Sequence, residues 1–125
     1  MKSNSTEKPD VLQKTEKGSY LYHWNITETT AYDEEGNERT TYDYDEVRVF
    51  APITANKILA AVIAETWDST YELKVINEYN AAQNGLYDDD EEKKATKIEA
   101  YTTFLTERQA LKEAVDADCD TLGIA

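Results

Sequence analysis

The sequence is poor in the residues that build most chemical sites. Its 125 residues include one cysteine, one histidine, two prolines and four glycines. A lone Cys119 excludes an internal disulfide and any zinc site built on cysteines. A lone His23 excludes a two-histidine metal site and leaves little for a nucleophilic triad. None of the four glycines sits in a phosphate-cradling loop. No apolar run approaches the roughly 20 residues of a membrane span; the longest is Ile58 to Ala64. The first ten residues contain no apolar stretch of the kind a secretory signal needs. Basic residues are scarce too, 13 against 26 acidic, for a formal charge of −13. Nucleic-acid binding needs a basic surface to neutralise phosphates, so it is excluded as the expected activity.

What is present suffices for one small domain. Residues 1–17 are polar and read as an extended N-terminal arm. Residues 18–125 read as a single α+β domain, a two-stranded antiparallel β-hairpin followed by and packed on three α-helices. The hairpin spans 20–51. Tyr20, Tyr22, Trp24 and Ile26 alternate with polar residues, which fits a half-buried strand. Asp33 to Glu38 is a turn, with Gly36 or Asn37 supplying the positive φ. In the second strand, Tyr42 and Tyr44 have one parity, and Val47 and Val49 the other. That change predicts a β-bulge or a face switch near Asp45-Glu46.

The helices are expected at about 55–67, 70–84 and 90–116. Thr54 can cap the first. Ser69-Thr70-Tyr71-Glu72 matches a capping box for the second, with Asp68 as the other candidate start. Gly85 is a stop signal, with Leu86 as its apolar partner. Asp88 to Glu92 put negative charge where the third helix begins. Asn77, Tyr79 and Asn80 interrupt the second helix's apolar pattern; the favoured expectation is that they tie it to the hairpin backbone, the other that they face a partner. The last two helices should run antiparallel, because their connection is short.

The acidic clusters are the residues from which a metal site could be built. Asp88, Asp90, Glu92 and Glu99 fall at positions 1, 3, 5 and 12 of a calcium loop, but Lys93 stands where that loop requires glycine. Asp116, Asp118 and Asp120 begin a similar pattern and are expected to lie in a frayed terminus. No metal, cofactor or small-molecule substrate is expected, and no catalytic residue is assigned. Cys119, between two aspartates, lacks a basic neighbour to lower its pKa. His23 is expected on the strand face opposite the aromatics, partly exposed.

Nine tyrosines are the compositional feature that stands out. Five of them cluster in the hairpin with Trp24. Cross-strand packing over the helices explains such a cluster. So does an interface, because Tyr and Trp bury large area and keep a polar tip. Tyr20, Tyr22, Trp24, Tyr42 and Tyr44 are therefore the interface candidates.

The order of segments has a counterpart. An aromatic hairpin exits through V-R-V-F-A-P into T-A-N-K-I-L-A-A-V-I-A-E-T-W. There follow E-L-K-V-I-N-E-Y-N-A-A-Q-N-G-L and Y-T-T-F-L-T-E-R-Q-A-L-K. Across residues 20 to 115 this resembles small structural and tail-associated proteins of tailed phages and prophages of gut bacteria. The resemblance implies a virion component, made in the host cytoplasm and assembled with other virion proteins or with itself. It implies no enzymatic activity and carries no site residues, and the N-terminal arm lies outside it. The alternative expectation is an acidic interaction module that inhibits a host nucleic-acid-binding protein by imitating phosphate charge.

Overall fold

The structure is a computed structural model that describes residues 1–125. It is α+β, with the elements β1 (Lys2–Ser5), β2 (Leu12–Lys14), β3 (Ser19–Tyr32), β4 (Glu38–Phe50), α1 (Ala55–Thr66), α2 (Ser69–Gln83) and α3 (Glu91–Leu122). The sheet is antiparallel and has four strands in the order β1-β4-β3-β2, rather than the two of the expected hairpin. The additional strands come from the arm. β1 pairs with Tyr42–Asp45, and β2 pairs with Tyr20–Tyr22 on the opposite edge. A two-stranded hairpin is marginal in water, and each of its edges presents unpaired N–H and C=O groups. The arm satisfies part of both edges. Its hold on β4 includes Asn4 Nδ2 donating to Asp43 Oδ1 at 2.7 Å and Lys2 Nζ at 3.2 Å from Asp45 Oδ1.

The hairpin turn is built by Asp33. Its Oδ1 accepts from the backbone N–H groups of Glu35 and Asn37, both at 2.9 Å. Gly36 takes the positive φ, +80°, that an L side chain resists. The bulge lies in the other strand from the one expected. Pairing slips between Trp24 and Thr27 of β3, where Asn25 adopts φ 54°, while β4 alternates without interruption. Its change of apolar parity is a change of face. Val47 and Val49 point at the helices; Tyr42 and Tyr44 point away. No backbone irregularity is needed, because the helix-side positions Asp43 and Asp45 lie toward the hairpin's outer half, where an apolar residue has less to pack against.

One core joins the sheet to α1 and the C-terminal half of α3. Tyr22, Trp24, Val49, Ile58, Val62, Val115 and Cys119 form it. Ile58 and Val62 sit four residues apart on α1, one face of a 3.6-residue period. Thr54 caps that helix as expected, accepting from Lys57 N–H at 3.2 Å. Asp68, not Ser69, caps α2, accepting from Thr70 N–H at 2.9 Å. α2 ends at Gln83 with Asn84 as its cap, before Gly85; the Leu86 N–H folds back onto the Ala81 carbonyl at 3.0 Å, but its side chain is exposed. Asp90 caps α3, accepting from Lys93 N–H at 3.0 Å.

A second aromatic seam joins α2 to the first half of α3. Phe104 meets the ring edges of Trp67 and Tyr71 at centroid distances of 4.9 and 5.8 Å, and Tyr79 stacks on Tyr101 at 4.4 Å. These pairs descend along one helix as they ascend the other, so the two are antiparallel. Asn77 and Asn80 are exposed on α2, with no side-chain hydrogen bond to the hairpin, contrary to expectation. α3 also runs six residues past its expected end at 116. Val115 and Cys119, one turn apart, are both buried, and that packing outweighs the unfavourable acids in the last turns. Gly123 closes the helix at φ 73°.

Candidate docking cleft

The local rules that shape β3 and α3 also leave a gap between them. Ala110 and Ala114 are one turn apart on α3, and their small side chains do not fill the space toward the sheet. Opposite them, the bulge displaces Ile26 from the regular pleat. The result is a cleft of about 480 Å³ lined on its apolar side by Trp24, Ile26, Trp67, Ala110, Leu111 and Ala114. Glu107 and Asp118 are the acidic groups lining it, and no lysine or arginine does. Asn25, at the bulge, is held by its Nδ2 donating to Asp45 Oδ2 at 2.9 Å.

The five interface candidates do not form one surface. Tyr22 and Trp24 are core residues, 0% and 8% exposed, stacked with centroids 5.8 Å apart. The Tyr22 hydroxyl donates to the Asp118 carboxylate. Burial pushes the Tyr22 phenol above its ordinary value, and the Asp118 charge adds to the shift. Tyr20 is half-buried on the same face. Tyr42 and Tyr44 are half-buried on the other face. The chain's own helices cover Tyr22 and Trp24, so neither is available to a partner in the folded domain.

His23 lies on the expected face but is 1% exposed rather than partly open. The arm and β4 enclose it. Its Nδ1 donates to the Asp10 carbonyl at 2.6 Å, and its Nε2 lies 2.9 Å from Glu46 Oε2. The Tyr44 ring meets it edge-on at 4.8 Å. The His23 N–H also bonds the Val11 carbonyl at 2.8 Å. This histidine therefore fastens the arm to the hairpin.

Cys119 is covered, and its thiol is pushed up first by burial and then by Asp116, Asp118 and Asp120. A covered thiol held protonated is a poor nucleophile. The acids of the calcium-loop patterns instead serve the backbone and pair with lysines. Asp90 is a helix cap, and Asp88 pairs with Lys94 at 2.9 Å. Asp116 pairs with Lys112 at 2.7 Å inside α3, not in a frayed tail. No group of three potential metal ligands is gathered anywhere in the chain.

Sequence reasoning missed the cleft. Trp67, Ile26 and the Ala110/Ala114 pair carried its signal, but only the bulge in β3 brings them together. No helix is long and apolar enough to cross a membrane. No family model matches the chain, and neither the curated proteins nor the solved structures contain a match to it.

Proposed function

We propose that this chain is a non-enzymatic component of a tailed-phage particle, head- or tail-associated, that works through protein–protein contacts with other virion proteins or with itself. One observation carries the proposal. The outer half of the hairpin, Thr27–Tyr32 against Glu38–Asp43, has no buried residue. β1 reaches only Tyr42 and Asp43 of it, and beyond them a ribbon of two strands without a core is marginal in water and gains stability when another chain covers it. Tyr32 stands 71% exposed there, and Tyr42 is half-buried on the same sheet face by register. The resemblance across residues 20 to 115 supplies the setting. The acidic surface would keep the chain soluble before assembly.

The test replaces Tyr32 and Tyr42 together by serine. Trp24 is unsuitable, since changing it attacks the core. Particles assembled with the double variant should lose the protein while its far-UV spectrum stays native. Normal incorporation of a folded double variant would refute the proposal.

A further inference from the structure

The sheet has a vacancy beside β3. β2 pairs only with Tyr20–Tyr22, and its line ends at the bond from His23 N–H to the Val11 carbonyl. Past that point, Thr27–Tyr32 pair with β4 on one side and with no strand on the other. Half of this segment's ladder groups therefore point outward unpaired, a ready template for an added strand. The cleft lies at the foot of this edge, because Trp24, Asn25 and Ile26 are both strand residues and cleft wall.

We infer that this edge and cleft together take an extended basic segment of a partner protein, which continues the line of β2 and seats one apolar side chain between Trp24, Trp67 and Leu111. The inference rests on the reading that the chain acts through protein contacts, and it names the chemistry of the partner. Backbone pairing supplies register. The cleft accepts an apolar anchor, and every second side chain of an added strand faces the cleft side of the sheet. Charge decides the occupant. Glu107 and Asp118 line the cleft with no lysine or arginine beside them, and His23, which also reaches its wall, has its ring already engaged by Glu46. Glu28 lies on the edge itself, and Asp33, Glu34 and Glu35 stand at the ribbon's tip. A second copy of this chain would bring another −13 to the contact. A segment that alternates Lys or Arg with Val or Leu satisfies edge, cleft and charge at once.

The chain's two tryptophans, Trp24 and Trp67, both line the cleft, so intrinsic fluorescence reports its occupancy. The probe is a synthetic peptide of about eight residues alternating Lys with Val and Leu, titrated into the intact protein. A saturable blue shift with one peptide per chain is expected, with slowed amide exchange at Thr27–Tyr32. Ala114→Gln, which fills the cleft, and Glu107→Lys, which reverses the charge at its rim, should each weaken binding about tenfold or more. Asp89→Lys makes the same charge change on the order of 25 Å away, in the turn before α3, and should leave affinity within about twofold. No spectral change, or equal weakening by Glu107→Lys and Asp89→Lys, would overturn the inference. So would a protein dimer, seen by light scattering, that the peptide cannot displace, since a second copy would then be the occupant. If the peptide fails while the Tyr32/Tyr42 variant is still lost from particles, this inference falls and the particle reading stands. If the peptide binds while that variant is incorporated normally, the reverse holds.

Discussion

From Ser19 to Trp24, β3 buries four of its six residues; from Asn25 to Tyr32 it buries none. Both stretches carry strand-favouring residues, Tyr20, Tyr22 and Trp24 in the first and Ile26, Thr27, Thr29, Thr30 and Tyr32 in the second, and both pair with β4 throughout except at the bulge. Intrinsic preference is therefore alike in the two halves, and environment separates them. The inner half has α1 and α3 on one face and the arm on the other. The outer half has no helix over it, and the arm touches only its β4 edge, at Tyr42 and Asp43. β-propensity describes a residue's fit to a pleated, half-buried surface, so the same residue types hold the core together at one end and stand in water at the other.

The sharpest test of that contrast is a matched pair of truncations. Trp24→Ala should cost about 3–5 kcal/mol, as large aromatic deletions in cores do, whereas Tyr32→Ala should fall within about 0.5 kcal/mol. Urea unfolding of both variants measures this. A Tyr32 loss as large as that of Trp24 would mean the outer half has a core after all.

A smaller effect is expected at His23, which belongs to the inner half but faces away from the helices. His23→Ala empties a buried ring site and removes the bonds to the Asp10 carbonyl and the half-buried Glu46 carboxylate. The expected loss is about 2 kcal/mol, the scale of losing a buried side chain with two hydrogen bonds. Amide exchange at Tyr20–Tyr22 and at Leu12–Lys14 should quicken along with it. Unchanged exchange there would show that the arm is held without the histidine.

The smallest effect belongs to the outer half's own turn. The Asn37 backbone N–H, and after it the Glu35 N–H and the Arg39 side chain, hold the Asp33 carboxyl below its ordinary value. A pKa lowered by folding contributes stability above the unfolded value of about 3.9. That contribution is lost as pH falls through the lower folded value. Melting temperatures of the wild type and Asp33→Asn should therefore differ slightly at neutral pH and converge as the pH falls below the unfolded carboxyl's value. A gap that persists in acid would trace the turn's stability to something other than the charge.

Much of the local structure was legible beforehand. Thr54 and Gly85 marked helix ends, Gly36 marked the turn, and the periods of the helical segments placed all three helices. Other features were legible only in part. The parity change in β4 was visible, but it recorded a change of face, while the bulge lay at Asn25-Ile26, where no glycine announces it. The acids from Asp116 to Asp120 argued for fraying, yet burial of Val115 and Cys119 carried α3 to Leu122. Of the candidate site, the aromatic cluster was visible. Its division between core and surface was not.

The sequence by itself determined the elements whose side chains encode them: three helices by their period and caps, and two long strands by their alternation and turn. Tertiary structure alone decided the rest. Lys2–Ser5 carries no apolar residue and no alternation, yet it forms a strand because β4 offers it backbone partners. Backbone pairing leaves little mark on side-chain identity, so neither the arm's place on the sheet nor the empty position beside β3 could be read from the order of residues. The same holds for the cleft, which exists only where the bulge, the end of α1 and two small residues of α3 meet.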